Sequence, residues 1–114
     1  MMKENVEHCL VLCTCGDDAT AELLAHGLVE AQLAACVNIV PGLTSVYSRQ
    51  GRVQSDRECL LIAKTRYDRF AQLRDHLRSK HPYELPEIIA LPVAAASGDY
   101  LAWIDASVRG PAGA

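Results

Sequence analysis

Residues 8–14 (HCLVLCT) form a short apolar, β-rich run that stops at Gly16, and they predict a central strand. Asp17 and Asp18 then offer an N-cap, and Glu22 places negative charge in the first turn of a helix. Ala19, Leu23, Gly27, Leu28 and Ala31 recur at three- and four-residue spacing, so this helix should run to about Leu33. From Cys36 the pattern becomes extended. CVNIVPGLTSVYSRQ and RVQSDRECLLIAKT read as two strands joined at Gln50-Gly51, where glycine supplies the positive φ of a tight hairpin turn. Pro41-Gly42 predicts a bend or bulge in the first arm. At ~3.4 Å per residue the hairpin reaches nearly 50 Å, far beyond what the first strand can cover.

Thr65 with Asp68 three residues later is a capping-box-like start to a second helix. Phe70, Leu73 and Leu77 line one face of it, Arg69, Arg74, Asp75 and Arg78 lie elsewhere, and Pro82 and Pro86 stop it. Residues 87–95 predict the last strand, with Pro92 marking an edge or bulge. Ser97-Gly98-Asp99 opens a short helix with Tyr100, Trp103, Ile104 and Val108 on one side, and residues 110–114 read as a tail.

The order β-α-β-β-α-β plus one helix defines an α+β, ferredoxin-like sandwich with a long hairpin, in one domain over residues 1–109. Both main helices should cover one sheet face. In the first strand, however, His8, Leu10, Leu12 and Thr14 point one way while Cys9, Val11, Cys13 and Cys15 point the other. A strand apolar on both sides expects burial on both sides. The overhanging hairpin adds unpaired backbone edges that must also be covered. Both features predict self-assembly.

Composition narrows the partners. Half of the 114 residues are hydrophobic and 22% are charged, which fits a globular domain. The net charge is −3 and no segment gathers Lys and Arg, so neither nucleic acid nor an anionic membrane is an expected partner. No apolar run approaches the ~20 residues of a membrane span. The first eight residues are polar and acidic rather than signal-like, which points to the cytoplasm. Five cysteines without a C-x-x-C pair agree, reading as free thiols rather than a zinc ribbon or a thioredoxin-type pair.

At AACVNIVPGLTSVYSRQGRV, LIAKT, HPYELPEIIALPV and DYLAWI the sequence resembles the CutA-type divalent-cation tolerance family. The resemblance runs from Val11 to Val108 and is most specific at His81-Pro82-Tyr83-Glu84-x-Pro86-Glu87. It implies a homotrimer, a cytoplasmic setting, and a non-enzymatic role in tolerance of copper or another divalent metal. It also implies a metal site matched here by Cys13 and His81, with Lys80 standing where members carry a first histidine. Ser48-Arg49-Gln50 departs from the Trp and acidic residue usual before the hairpin glycine.

Strand one and helix two run the same way, so Cys13 and His81 should end at one pole of the domain. Thiolate and imidazole suit copper or zinc, and Cys15 could add a second sulfur. The competing reading makes the cysteines small buried hydrophobes and His81 a helix-end cation. A third reading, a thiol enzyme, has Cys13 and Cys15 before a helix N-terminus, where thiolate is favoured. It lacks a third orienting residue.

Lys64, Tyr83, Glu87 and Trp103 mix polar groups with aromatics, and the resemblance implies an inter-subunit pocket there. A small anionic ligand in that pocket is the alternative function. A Lys64–Glu87 salt bridge with aromatics packing the seam is the plainer account.

Overall fold

Alternation along β1 (His8–Cys15) decides the layout. Cys9, Val11, Cys13 and Cys15 are buried, while Leu10, Leu12 and Thr14 on the opposite side are half-buried. In this computed structural model residues 6–109 are described, and the expected tail at 110–114 lies outside them. β1 pairs antiparallel with β3 (Arg52–Arg66), His8 facing Arg66 and Cys15 facing Cys59. On its other edge it pairs antiparallel with β4 (Ile89–Pro92). β2 (Cys36–Arg49) completes the sheet, in the order β2-β3-β1-β4.

β4 is shorter than the strand expected over 87–95. The Val93 N–H still donates to the His8 carbonyl at 3.0 Å, so the next pair, Pro92 with Cys9, falls on a rung where a missing N–H costs nothing. Residues 82–88 are loop instead and carry Tyr83 and Glu87 away from the ladder.

The hairpin turns at Gln50 and Gly51, both at positive φ (53° and 77°), as the twist-matched two-residue turn requires. The register skips between Val40 and Leu43, with Gly42 at φ 74°, which is the bulge expected at Pro41-Gly42. Beyond the Cys15–Cys59 rung the two arms pair only with each other. Val46 and Val53 there are 67% and 79% exposed. The overhang gives the molecule a long axis of 44 Å.

α1 (Asp18–Glu30) starts where the Asp17 carboxylate accepts the Thr20 N–H at 2.7 Å. It ends three residues before Leu33. Gln32 takes positive φ (59°), its N–H reaches the Val29 carbonyl and the Leu33 N–H reaches Leu28, which folds Leu33 back into the core.

α2 (Phe70–Lys80) follows a 3-10 turn at Tyr67–Arg69, and the capping box expected at Thr65 does not form. Thr65 is fully buried in β3 and donates its hydroxyl to the Leu33 carbonyl at 2.7 Å, while Asp68 pairs with Arg66. Arg69, expected off the apolar face of the helix, is buried too, and its guanidinium holds the Val108 carbonyl.

Leu24, Leu28, Leu73 and Leu77 pack against Cys9, Val11, Cys13, Cys15, Leu61 and Ala63. α3 (Gly98–Ser107) buries Ile104 and Val108 with Ala35. Tyr100 and Trp103 do not share that packed side; they are exposed, with their rings tilted against each other.

The sheet's second face carries Leu10 and Leu12, Leu60 and Ile62, Val40, and Ile89 and Leu91, all in register across the four strands. Val40, Ile89 and Leu91 are exposed, and the others are half-buried. Both α1 and α2 lie on the opposite side.

Candidate functional site

The C-terminal ends of β1 and α2 meet at the Thr14 carbonyl. His81, the C-cap residue of α2, turns extended (φ −76°, ψ 137°) and brings its ring beneath the following loop. Its Nε2 lies 2.7 Å from the Thr14 oxygen, and its Nδ1 accepts the Tyr83 N–H at 3.1 Å. A carbonyl only accepts and an amide N–H only donates, so these partners select the Nε2–H tautomer and occupy both nitrogens. His81 is buried and its ring lies tilted against Tyr83, with ring centroids 4.7 Å apart. Its place is a hydrogen-bonded joint between strand and loop, not a helix-end cation. Lys80 beside it is exposed.

Cys13 Sγ lies 3.7 Å from the same Thr14 oxygen, so the structure brings Cys13 and His81 to one point. Burial, reinforced by the nearby Cys15, Glu87 and Glu58, pushes the Cys13 thiol up to about 12. Cys15 is also raised, first by burial and only partly offset by its contact with the Asp17 carbonyl at 3.8 Å. The thiolate expected before the α1 N-terminus is therefore disfavoured, since desolvation outweighs the helix end. Among the described residues no group of three or more His, Cys, Asp and Glu is gathered as a metal centre. As folded, Cys13 and His81 are committed to a proton and to backbone partners.

Above Thr14 opens a cleft of about 950 Å³ between the hairpin stem and the 83–87 loop. Tyr83 donates to the Glu58 carboxylate at 2.7 Å, and Tyr47 donates to Asp56 and, at 3.3 Å, to Gln54. Burial and the Glu58 bond push the Tyr83 phenol well above its usual range, and the Asp56 bond raises Tyr47. Asp56, Glu58, Glu84 and Glu87 line the cleft with Arg49 as its one lining cation, so its field is negative.

Tyr83 and Glu87 thus belong together, and Lys64 and Trp103 lie elsewhere. Within one chain the Lys64 ammonium donates to Asn38 and touches Cys36, not Glu87. Trp103 packs its ring at a tilt against Tyr100, centroids 5.4 Å apart. In the sequence Asp56 and Glu58 read most simply as exposed charges that keep the hairpin soluble, and Tyr47 carries no signal of its own. The signal was available in the hairpin register: a turn at Gln50-Gly51 sets Tyr47 opposite Gln54, with Asp56 on the neighbouring diagonal.

Fold and site together define a small α+β protein with one four-stranded antiparallel sheet, whose polar chemistry is gathered at one end beside an overhanging hairpin. The profile of the CutA1 divalent ion tolerance protein family matches residues 9–107, and the chain belongs to that family. It is 48% identical over 95 residues to the divalent-cation tolerance protein CutA of Thermus thermophilus, covering 83% of this chain and 92% of that one. A CutA homolog from Xenopus laevis is 45% identical over 91 residues, 80% of this chain and 60% of that longer one. The crystal structure of CutA1 from Oryza sativa superposes with a TM-score of 0.89 at 42% identity, over 93% of this chain and 97% of that one. The family is named for tolerance, not for a reaction.

Proposed function

We propose that this protein serves divalent-cation tolerance as a non-enzymatic homotrimer that draws copper or a related divalent ion to the acidic cleft above Thr14. The carrying observation is the cleft lining: four carboxylates against one guanidinium, in a cleft also lined by Thr14, the residue on whose carbonyl Cys13 and His81 converge. Carboxylates attract a dication and repel a small anion, so this cleft favours the cation over the anionic-ligand reading. Cys13 and His81 are the soft ligands of the proposal, at a stated cost. Cys13 must lose a proton held up to about 12, and His81 must give up Thr14 or Tyr83.

Trimer formation is supported by the apolar second sheet face and the overhanging hairpin, which neighbouring copies would cover. Lys64 and Trp103 lie apart from Tyr83 and Glu87 within one chain, so a pocket shared by all four would form only across such a contact. A cytoplasmic setting belongs to the same proposal and is supported by Cys9, Cys13, Cys15 and Cys59 packed as free thiols.

Copper titration by calorimetry at pH 7.5 under reducing conditions tests the site. Glu84→Gln with Glu87→Gln should weaken binding about tenfold, since each removes a charge that attracts the ion. Cys13→Ser should weaken it further. Unchanged affinity in both variants would place the ion elsewhere.

A further inference from the structure

Two core cysteines face each other across the sheet where β1 ends. Cys15 and Cys59 are direct partners on antiparallel β1 and β3, and both are free thiols, 0% and 3% exposed, packed with Leu24 and Leu28 on the helix side. Their sulfurs converge on the start of α1. Cys15 Sγ lies 3.8 Å from the Asp17 carbonyl oxygen, and the Cys59 thiol donates to the Asp18 carboxylate at 2.9 Å. Asp17 and Asp18 are exposed, so each sulfur is one contact from solvent. That route leaves by the helix side of the sheet, opposite the apolar face that a second copy would cover.

The spacing decides what such a pair can do. The Tyr67 N–H donates to the Glu7 carbonyl at 2.8 Å across the same two strands, and rungs of this kind recur at every second residue, at Cys9, Val11, Cys13 and Cys15. Cys15 with Cys59 is therefore a hydrogen-bonded rung, whose Cβ atoms stand about 5.5 Å apart. A disulfide wants its Cβ atoms within roughly 4.5 Å, so a direct S–S bond would strain the sheet. An ion held between the two sulfurs lengthens the bridge by its own two bonds, which suits the wider spacing. Cys13, the next thiol on that face, is roughly 7 Å away along the strand. It turns its sulfur to the Thr14 carbonyl instead.

We propose that Cys15 and Cys59 form a two-sulfur site for a soft monovalent cation, Cu(I) or Ag(I), separate from the acidic cleft proposed above for a divalent ion. Soft thiolates select Cu(I), which is stable between two ligands in a line. Zn(II) takes about four ligands, and among the described residues no group of three or more His, Cys, Asp and Glu is gathered to hold one.

Binding exchanges protons for the ion: the two thiols release two protons and one cation takes their place. The Cys59 proton already points at the Asp18 carboxylate, which gives it a way out to solvent. The filled site carries one net negative charge beside the first turn of α1, where the helix amides favour an anion. Deprotonation is the cost. The Asp18 bond and then burial hold the Cys59 thiol at about 11, so a weakly bound or hard ion would not displace its proton.

Anaerobic titration of the full chain with Cu(I), kept reduced by ascorbate and in competition with bathocuproine disulfonate, tests it. The wild type should withdraw the first equivalent of copper from the chelator, and X-ray absorption at the copper edge should show two sulfurs and no nitrogen. Cys15→Ala and Cys59→Ala, made separately, should each weaken binding by more than the roughly 10–100-fold that outer-shell partners of a metal command. Cys13→Ser, Cys36→Ser, and Glu84→Gln with Glu87→Gln should all retain the two-sulfur ion, which separates this site from the cleft. If an alanine variant fails to fold, the wild-type spectrum and the retained binding in the Cys13 and Cys36 variants still decide the matter. A wild type that takes no copper from the chelator, a copper ion with a nitrogen ligand, or loss of the ion in Cys13→Ser or Cys36→Ser would each overturn the proposal. So would a folded Cys59→Ala protein that binds as the wild type does.

Discussion

Leu61 and Ile62 are neighbours on β3 and face opposite sides of the sheet. Leu61 is 1% exposed, packed under α1 and α2 with Val11, Leu28 and Leu77. Ile62 is half-buried, opposite Leu12 and Asn38, on the side the two helices leave open. One face of this sheet is complete within a single chain. The other carries a central apolar patch, Leu10, Leu12, Leu60 and Ile62, that is unfinished, and its hydrophobic surface stabilises only what comes to cover it.

The largest expected effect on the chain itself lies on the finished face. Leu61→Ala removes buried methyl groups where α1, α2 and β1 cannot all collapse inward, and it should cost about 2–5 kcal/mol in denaturant unfolding. A loss below about 1 kcal/mol would mean that this face is less tightly packed than the burial of Leu61 implies.

Ile62→Asp should have the opposite profile. The carboxylate can reach water in the isolated chain, so the fold should lose no more than about 1 kcal/mol and keep its circular dichroism. A second copy seated on Leu10, Leu12 and Ile62 would instead bury an unpaired charge. Light scattering should therefore show single chains for Ile62→Asp and a larger species for the wild type. A wild type that is already monomeric at micromolar concentration would remove the need for a covered second face.

The same contrast explains what could be read from sequence. Period-two alternation in β1 exposes both apolar faces directly, and the turn and the bulge are carried by Gly51 and Pro41-Gly42, whose backbone chemistry is local. Thr65 misled because a cap and a buried strand hydroxyl have the same local sequence, and only the distant Leu33 carbonyl distinguishes them. Arg69 misled for the same reason: its partner, Val108, is 39 residues away. In the candidate site, Cys13 and His81 were legible as a pair because strand and helix direction fix their pole. Their commitments to Thr14 and Tyr83 were not, because backbone partners leave no trace in residue identity. The acidic cleft needed both the hairpin register and the loop path, and the loop was expected to be partly strand.

The smallest effect should come from the anchor between the sheet and α3. Asp105 accepts from His8 Nε2 at 2.8 Å and from Arg66 Nη1 at 2.7 Å, while Arg66 also bonds Asp68. Burial pushes the Asp105 carboxyl up, but hydrogen bonds from His8 and Arg66, with the Arg66 charge, more than offset it, so the net shift is downward. A carboxylate lowered in the folded state stabilises fully above its unfolded value of ~3.9 and loses that contribution as pH falls through the folded value. The side chain is 38% exposed, so screening limits the contribution to at most about 1 kcal/mol. Asp105→Asn keeps an acceptor for Arg66 and removes the charge. Wild type should therefore melt slightly higher than Asp105→Asn at pH 7, and the two should converge at an acid pH below the lowered folded value, where the carboxyl is protonated in both states. If the gap between them is the same at both pH values, α3 is held by the packing of Ile104 and Val108 and the Arg69 bond, and the ion pair contributes nothing measurable.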